Sequence, residues 1–211
     1  MRVLGVDPGL TRMGIGLVDG RLGAPITMVA AGVIRTPAGA PIHERLLGID
    51  VQIAEWFDEY QPDAVAVERM FAQEGVRTIM GTAQAAGVAM VAAARRGLPV
   101  ALHTPSEVKA AVTGDGRAQK EQVAAMVVRV LKLAEAPKPV DATDALALAI
   151  CHVWRGGAAD RIAEAMQRQG LSADSGSVPL HRVRGRDRRS GFRSAAPSGG
   201  RWARDNEQRG G

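Results

Sequence analysis

One cysteine, four histidines and no long apolar run set the first limits on this 211-residue chain. The lone Cys151 excludes an intrachain disulfide and a multi-cysteine zinc site, and a reducing, cytoplasmic setting is the simplest expectation. His43, His103, His152 and His181 show no metal-ligand spacing and are assigned no role; His152, at the end of a predicted helix, is expected to be solvated. No segment reaches the roughly 20 apolar residues that span a bilayer, so no membrane attachment is expected. The opening MRVLGVDPG lacks a long apolar stretch followed by a small-residue cleavage site, so no secretory signal is expected either. There is no internal repeat.

What is present is a 46% apolar composition, enough for one sizeable core with an appendage. The net charge of +5 is unevenly distributed. Residues 1–154 hold 15 Lys/Arg against 16 Asp/Glu, whereas residues 155–211 hold 12 Arg against 6 acids. The globular part is thus almost neutral and the basic excess is a tail. Arg-rich tails suit phosphate backbones or anionic surfaces; a solvated, unstructured extension fits equally.

Residues 1–7, 13–19 and 26–35 read as three short strands joined by Gly/Pro turns. The period then changes. Ile42, Leu46, Ile49, Ile53, Trp56 and Tyr60 recur at spacings of four and three, which predicts an amphipathic helix closed by Pro62. DAVAVER is a short apolar run ending at Glu68, suited to a strand covered on both faces. An Ala/Gly-crowded helix follows over about 74–96, whose small residues permit close packing on another element or on a second copy of the chain. PVALHT is a fifth strand. PSEVKAAVTG, AQKEQVAAMVVRVLKL and VDATDALALAICHVWRG are three further helices, the last ended by Gly156-Gly157. The order implies a mixed sheet: an antiparallel meander, then parallel strands with helical crossovers. From about residue 156 the chain loses apolar periodicity and becomes rich in Arg, Gly and Ser, the composition of a weakly ordered basic C-terminal tail. The expected division is a domain at 1–155 and a tail at 156–211.

Four acids stand out by context. Asp7 ends the first strand, at the mouth of what reads as a buried hairpin. Glu68 ends a strand that a right-handed crossover can place beside the first, and ligand sites in open α/β sheets gather at the carboxyl ends of adjacent parallel strands. Asp141 and Asp144, three apart at the start of the last helix, share one face. If that helix docks its N-terminus over the strand ends, the four carboxylates converge. Such a set stays ionised only with cations among it, and oxygen-only ligands select hard ions such as Mg²⁺ or Mn²⁺ over zinc. Two such ions clamp an in-line phosphoryl displacement. Each acid also fits a structural role: Asp7 opening an Asp-Pro-Gly turn, Asp141 and Asp144 at a helix N-terminus, Glu68 paired with an Arg.

Together GVDPGLTRMGIGLV, AVAVERMF, AQAAGVAMVAAA and DATDALALAICH resemble the RuvC family of Holliday-junction resolvases, in order and spacing, over residues 1 to about 154. The resemblance implies a ribonuclease H-like α/β fold: a five-stranded mixed sheet flanked by helices. It implies a Mg²⁺-dependent endodeoxyribonuclease, with Mn²⁺ able to substitute and two ions per site. The enzyme acts as a homodimer that resolves four-way DNA junctions by paired symmetric nicks, in recombination and repair. Carried over by motif position, Asp7, Glu68, Asp141 and Asp144 are the catalytic metal ligands. Phe71 matches the aromatic placed near the junction centre, and Lys109 and Lys120 match basic positions set against the DNA backbone. Arg69 has no role that carries over, although it can help neutralise phosphate. The Ala/Gly-rich helix corresponds to the dimer-forming helix. Cooperation with a branch-migration complex of RuvA and RuvB type proteins is also implied. The tail after residue 156 has no assignable counterpart. Other readings remain open: a ribonuclease H-like nuclease that trims ribosomal RNA precursors, and a non-catalytic DNA-binding module. An actin-like ATPase or sugar kinase needs a second glycine-rich phosphate loop, which is lacking.

Overall fold

Apolar runs buried on both faces in the first two segments, with a half-buried third, build an antiparallel meander of β1 (Arg2–Asp7), β2 (Arg12–Asp19) and β3 (Thr27–Arg35). In this computed structural model the backbone of residues 1–69 and 76–168 is described, and the side chains of 1–69 and 79–155. Helix α1 (Ile42–Tyr60) crosses back to β4 (Ala64–Glu68), which pairs parallel with β1. Helix α2 (Val76–Ala94) then leads to β5 (Val100–His103), parallel to β4. The sheet order β3-β2-β1-β4-β5 is the five-stranded mixed arrangement expected, with β4 placed beside β1 by the crossover. Helices α3 (Pro105–Thr113), α4 (Lys120–Leu131) and α5 (Val140–Arg168) follow.

The two faces of the sheet carry separate cores. Leu4, Val6, Ile15, Val65 and Val67 pack with Ile49, Ile53 and Phe57 of α1 and with Ala85 and Ala89 of α2. Val3, Val18 and Ala66 pack with Leu146 and Ile150 of α5 and with residues of α3 and α4. Both cores are largely aliphatic.

Two local expectations are corrected. On α1 the buried stripe is Ile49, Ile53 and Phe57, while Ile42 is 43% exposed. Spacings of three and four do not decide between neighbours at the edge of a helical stripe: Phe57 takes the core side, and Trp56 and Tyr60 pack half-buried along its margin. The last helix does not stop at Gly156-Gly157 but continues to Arg168. Two helical glycines cost about 1 kcal/mol each relative to alanine. The Ala, Glu and Met residues beyond them, from Ala158 to Met166, are strong helix formers and offset that cost.

Candidate active site

Asp7 and Glu68 stand one residue beyond the last paired positions, Val6 and Val67, of the parallel β1–β4 ladder. Strand alternation turns both toward the α5 face, since Val3 and Ala66 already belong to the core on that side. What lays α5 over them is a set of glycines. A Cβ built on Gly5 would lie 1.9 Å from the Ala145 carbonyl oxygen, one on Gly14 2.1 Å from the Asp141 carbonyl oxygen, and one on Gly16 2.5 Å from the Leu146 nitrogen. The first turns of α5 therefore rest main chain on main chain against β1 and β2. This seat carries Asp141 and Asp144 above the strand ends.

Asp7, Glu68 and Asp144 line one cleft of about 350 Å³, together with Lys109 of α3 and Lys120 at the start of α4. Lys109 is positioned by the Thr104–Glu107 capping box that fixes the start of α3: the Thr104 side chain accepts from the Glu107 backbone N–H, and the Thr104 backbone N–H donates to Glu107 Oε2 at 2.8 Å. Asp141 does not line the cleft. Its Oδ2 accepts from Arg12 Nε at 2.9 Å and from Arg12 Nη2 at 2.5 Å. Lys120 Nζ donates to Asp144 Oδ2 at 3.3 Å. Burial, then the charges of Glu68 and Asp144, push Asp7 up to about 8, against a smaller downward pull from Lys120 and with a further upward push from Asp141. Asp144 in turn raises Lys120 above the usual lysine range.

Three of the four carboxylates, Asp7, Glu68 and Asp144, thus share one cleft, while Asp141 stands outside it, paired with Arg12. Among the described residues no three His, Cys, Asp or Glu side chains are disposed to grip an ion as they stand. The donor set nonetheless fits a hard divalent cation. It offers only oxygens, Asp7 is raised by desolvation and then by its neighbours' charges, and two of its members already hold cationic side chains that an ion can replace.

Arg69, at the end of β4, is exposed, and its backbone N–H donates to the His103 carbonyl at 2.8 Å, extending the β4–β5 ladder. Phe71 lies outside the described residues, as does the chain from 169 onward. His152 is not solvated: it is 8% exposed, and its Nδ1 lies 3.2 Å from Nε2 of the equally buried His103. A tertiary contact between a strand end and a helix leaves no trace in local spacing, which is why composition alone places His152 at the surface. Two other features were not singled out from the sequence. The seat of Gly5, Gly14 and Gly16 is signalled by glycines at alternate strand positions. Arg12 carries no sequence signal beyond its charge.

The family described as "Crossover junction endodeoxyribonuclease RuvC" matches residues 3–152. The chain belongs to the RuvC family. A crossover junction endodeoxyribonuclease RuvC of Thermobifida fusca is 67% identical over 168 residues, 80% of this chain and 92% of that protein. The Saccharopolyspora erythraea RuvC is 56% identical over 201 residues, 95% of this chain and 98% of its own. Among solved structures, Thermus thermophilus RuvC in complex with Holliday junction substrate is 36% identical with a TM-score of 0.72, covering 75% of this chain and 96% of that one. The yeast mitochondrial Holliday junction resolvase Ydc2 matches at a TM-score of 0.54 with 10% identity, a likeness of fold alone. RuvC membership also decides against the ribosomal RNA-trimming and actin-like readings of the opening strand.

Proposed function

We propose that this RuvC-family chain is a structure-selective endodeoxyribonuclease that resolves four-way DNA junctions by paired symmetric nicks. The observation that carries the reading is Asp7: a half-buried carboxylate at a strand end, among Glu68 and Asp144, under a helix seated on glycine. Asp7, Glu68, Asp141 and Asp144 would hold Mg²⁺, with Mn²⁺ able to substitute and two ions per site. A bound ion supplies Lewis-acid stabilisation of the phosphorane charge and lowers the pKa of attacking water. Asp7 sheds its proton to solvent as the site charges, since only the ionised carboxylate is a ligand. Lys109 and Lys120, facing the same cleft, neutralise backbone phosphate, and Lys120 leaves Asp144 to do so. Arg69 and Phe71 are assigned to the DNA side of the site, Phe71 by stacking on an unpaired base.

A two-fold junction needs two sites in symmetric register, hence a homodimer. Supporting this is an apolar groove between α1 and α2, formed by Leu46, Leu47, Val88 and Val91, with Leu47 63% and Val91 50% exposed. We assign the nuclease to residues 1–155 and a basic accessory segment to 156–211, a cytoplasmic location, and cooperation with RuvA and RuvB type branch-migration proteins. Among the described residues no helix is long and apolar enough to cross a membrane.

Cleavage of a synthetic four-way junction tests the assignment. Paired symmetric nicks are expected with Mg²⁺ and none with EDTA. Glu68→Gln, Asp141→Asn and Asp144→Asn are each expected to reduce cleavage below detection while junction binding persists. Near-native turnover in any one of them removes that residue from the ligand set, and junction binding without cutting in either metal makes the chain a binding module.

The tail is tested separately. Residues 170–211 hold nine Arg against four acids. Their deletion leaves α5 whole and is expected to weaken junction binding and to lower the slope of log affinity against log salt by about one or more. An unchanged slope, read by fluorescence anisotropy at several salt concentrations, makes the tail a bystander.

A further inference from the structure

Arg12 opens β2 directly opposite Arg35 of β3 in the antiparallel register. Two like charges facing each other across neighbouring strands are destabilising unless an anion lies between or beside them. Arg35 is exposed and has no side-chain partner among the described residues. Arg12 has one partner, Asp141, and both of its hydrogen bonds fall on a single carboxylate oxygen, Oδ2. Strand alternation puts Arg12 on the same face as Gly14 and Gly16, on the α5 side and two residues before Gly14, the strand partner of Asp7. The pair is shallow: the Arg12 side chain is 43% exposed and that of Asp141 33%. Exposed pairs of this kind are weak and exchange partners readily.

Given the nuclease reading above, on which this rests, Asp141 is needed by an ion at the moment a DNA phosphate approaches the acidic site. We propose that Arg12 is a handover residue: it holds Asp141 in the metal-free protein and passes, beside Arg35, to a phosphate of the junction when the carboxylate turns to the metal. Ion and DNA then assist each other, because each removes the competitor of the other. A free guanidinium left next to the metal would repel it, and a phosphate prevents that. Arg12 contacts the substrate backbone and positions Asp141; it takes no proton.

Arg12→Gln tests this through two measurements of opposite sign on the full chain. Mn²⁺ affinity without DNA, followed by the electron paramagnetic resonance of the free ion, is expected to tighten about threefold, since the exposed ion pair no longer competes. The junction concentration for half-maximal cleavage in Mg²⁺ is expected to rise about fivefold, with the salt slope lower by about one. Arg12→Lys, which keeps a point charge without the fork, is expected to fall between the two in both measurements. Arg35→Gln is expected to weaken the junction arm alone and to leave Mn²⁺ affinity unchanged. A merely structural role weakens both arms of Arg12→Gln together, and that outcome, or no change in either, overturns the handover. Glu68→Gln is run alongside. If it loses Mn²⁺ while Arg12→Gln matches the wild type, only the handover fails. If Glu68→Gln keeps wild-type Mn²⁺ affinity, the active-site reading itself fails.

Discussion

Replacing Asp7 by Asn is expected to abolish junction cleavage and, at the same time, to make the metal-free fold more stable near pH 8. Asp7 rises from an ordinary value of 3.8 to about 8 in the fold, first through burial and then through the charges of Glu68 and Asp144. A carboxyl whose folded value is raised binds its proton more tightly in the native state than in the unfolded chain. Its contribution to stability is complete below the unfolded value and is lost as pH climbs toward the folded one. The metal-free protein should therefore weaken between about pH 4 and pH 8, at up to about 1.4 kcal/mol per pH unit. Asn has no proton to lose, so the gap between variant and wild type opens across the same window. Adding Mn²⁺ should restore the wild type at pH 8 and leave the variant unmoved, because the ion needs the ionised oxygen. Urea titrations in EDTA and in Mn²⁺ at several pH values read both effects. A variant destabilised equally at every pH would show that the charge of Asp7 is not what strains the site.

The second large effect concerns the seat of α5. Gly5→Val places a Cβ 1.9 Å from the Ala145 carbonyl oxygen and 2.9 Å from the Ala149 nitrogen. Both are main-chain atoms and neither has a rotamer with which to move aside. The helix must retreat by roughly 1.5 Å to regain van der Waals contact. Leu146, Leu148, Ala149 and Ile150, each at most 1% exposed, would then lose their fit to the sheet. A loss of about 3 kcal/mol is expected, or about 10 °C in thermal midpoint for a domain of this size. The residual folded protein should cleave poorly because Asp141 and Asp144 ride on the displaced helix. Gly48→Ala is the contrast. Beyond the adjoining backbone of its own helix no atom lies within 4 Å of its Cβ position, in the interior of α1, and alanine there should stabilise by about 0.5–1 kcal/mol. A differential melting experiment compares the two, and equal behaviour would mean that the close approach at Gly5 does not hold the helix in place.

Much of this architecture is legible in the residues because its causes are local. Short apolar runs joined by Gly/Pro turns declare the meander, and a right-handed helical crossover can set DAVAVER beside the first strand. The convergence of Asp7, Glu68 and Asp144 follows from that topology together with the apolar helix that begins at Asp141. What local pattern does not reveal depends on partners distant in the chain. The His103–His152 contact joins residues 49 apart in sequence, and the Arg12–Asp141 pair joins residues 129 apart. The end of α5 is hidden for a different reason, since a Gly-Gly break is outweighed by the helix formers that follow it. The glycine seat lies between these cases. Its residues are conspicuous in the strand, but only the helix laid across them shows what they make room for.

That seat also separates two kinds of change. The height of the acidic pair above the sheet is set by backbone touching backbone, so it depends on no particular side-chain shape. Substitutions can accumulate in either aliphatic layer, trading one branched residue for another, without altering the reach of Asp144 toward Asp7. Such a site keeps its dimensions while the rest of the domain drifts, provided three positions never acquire a methyl group.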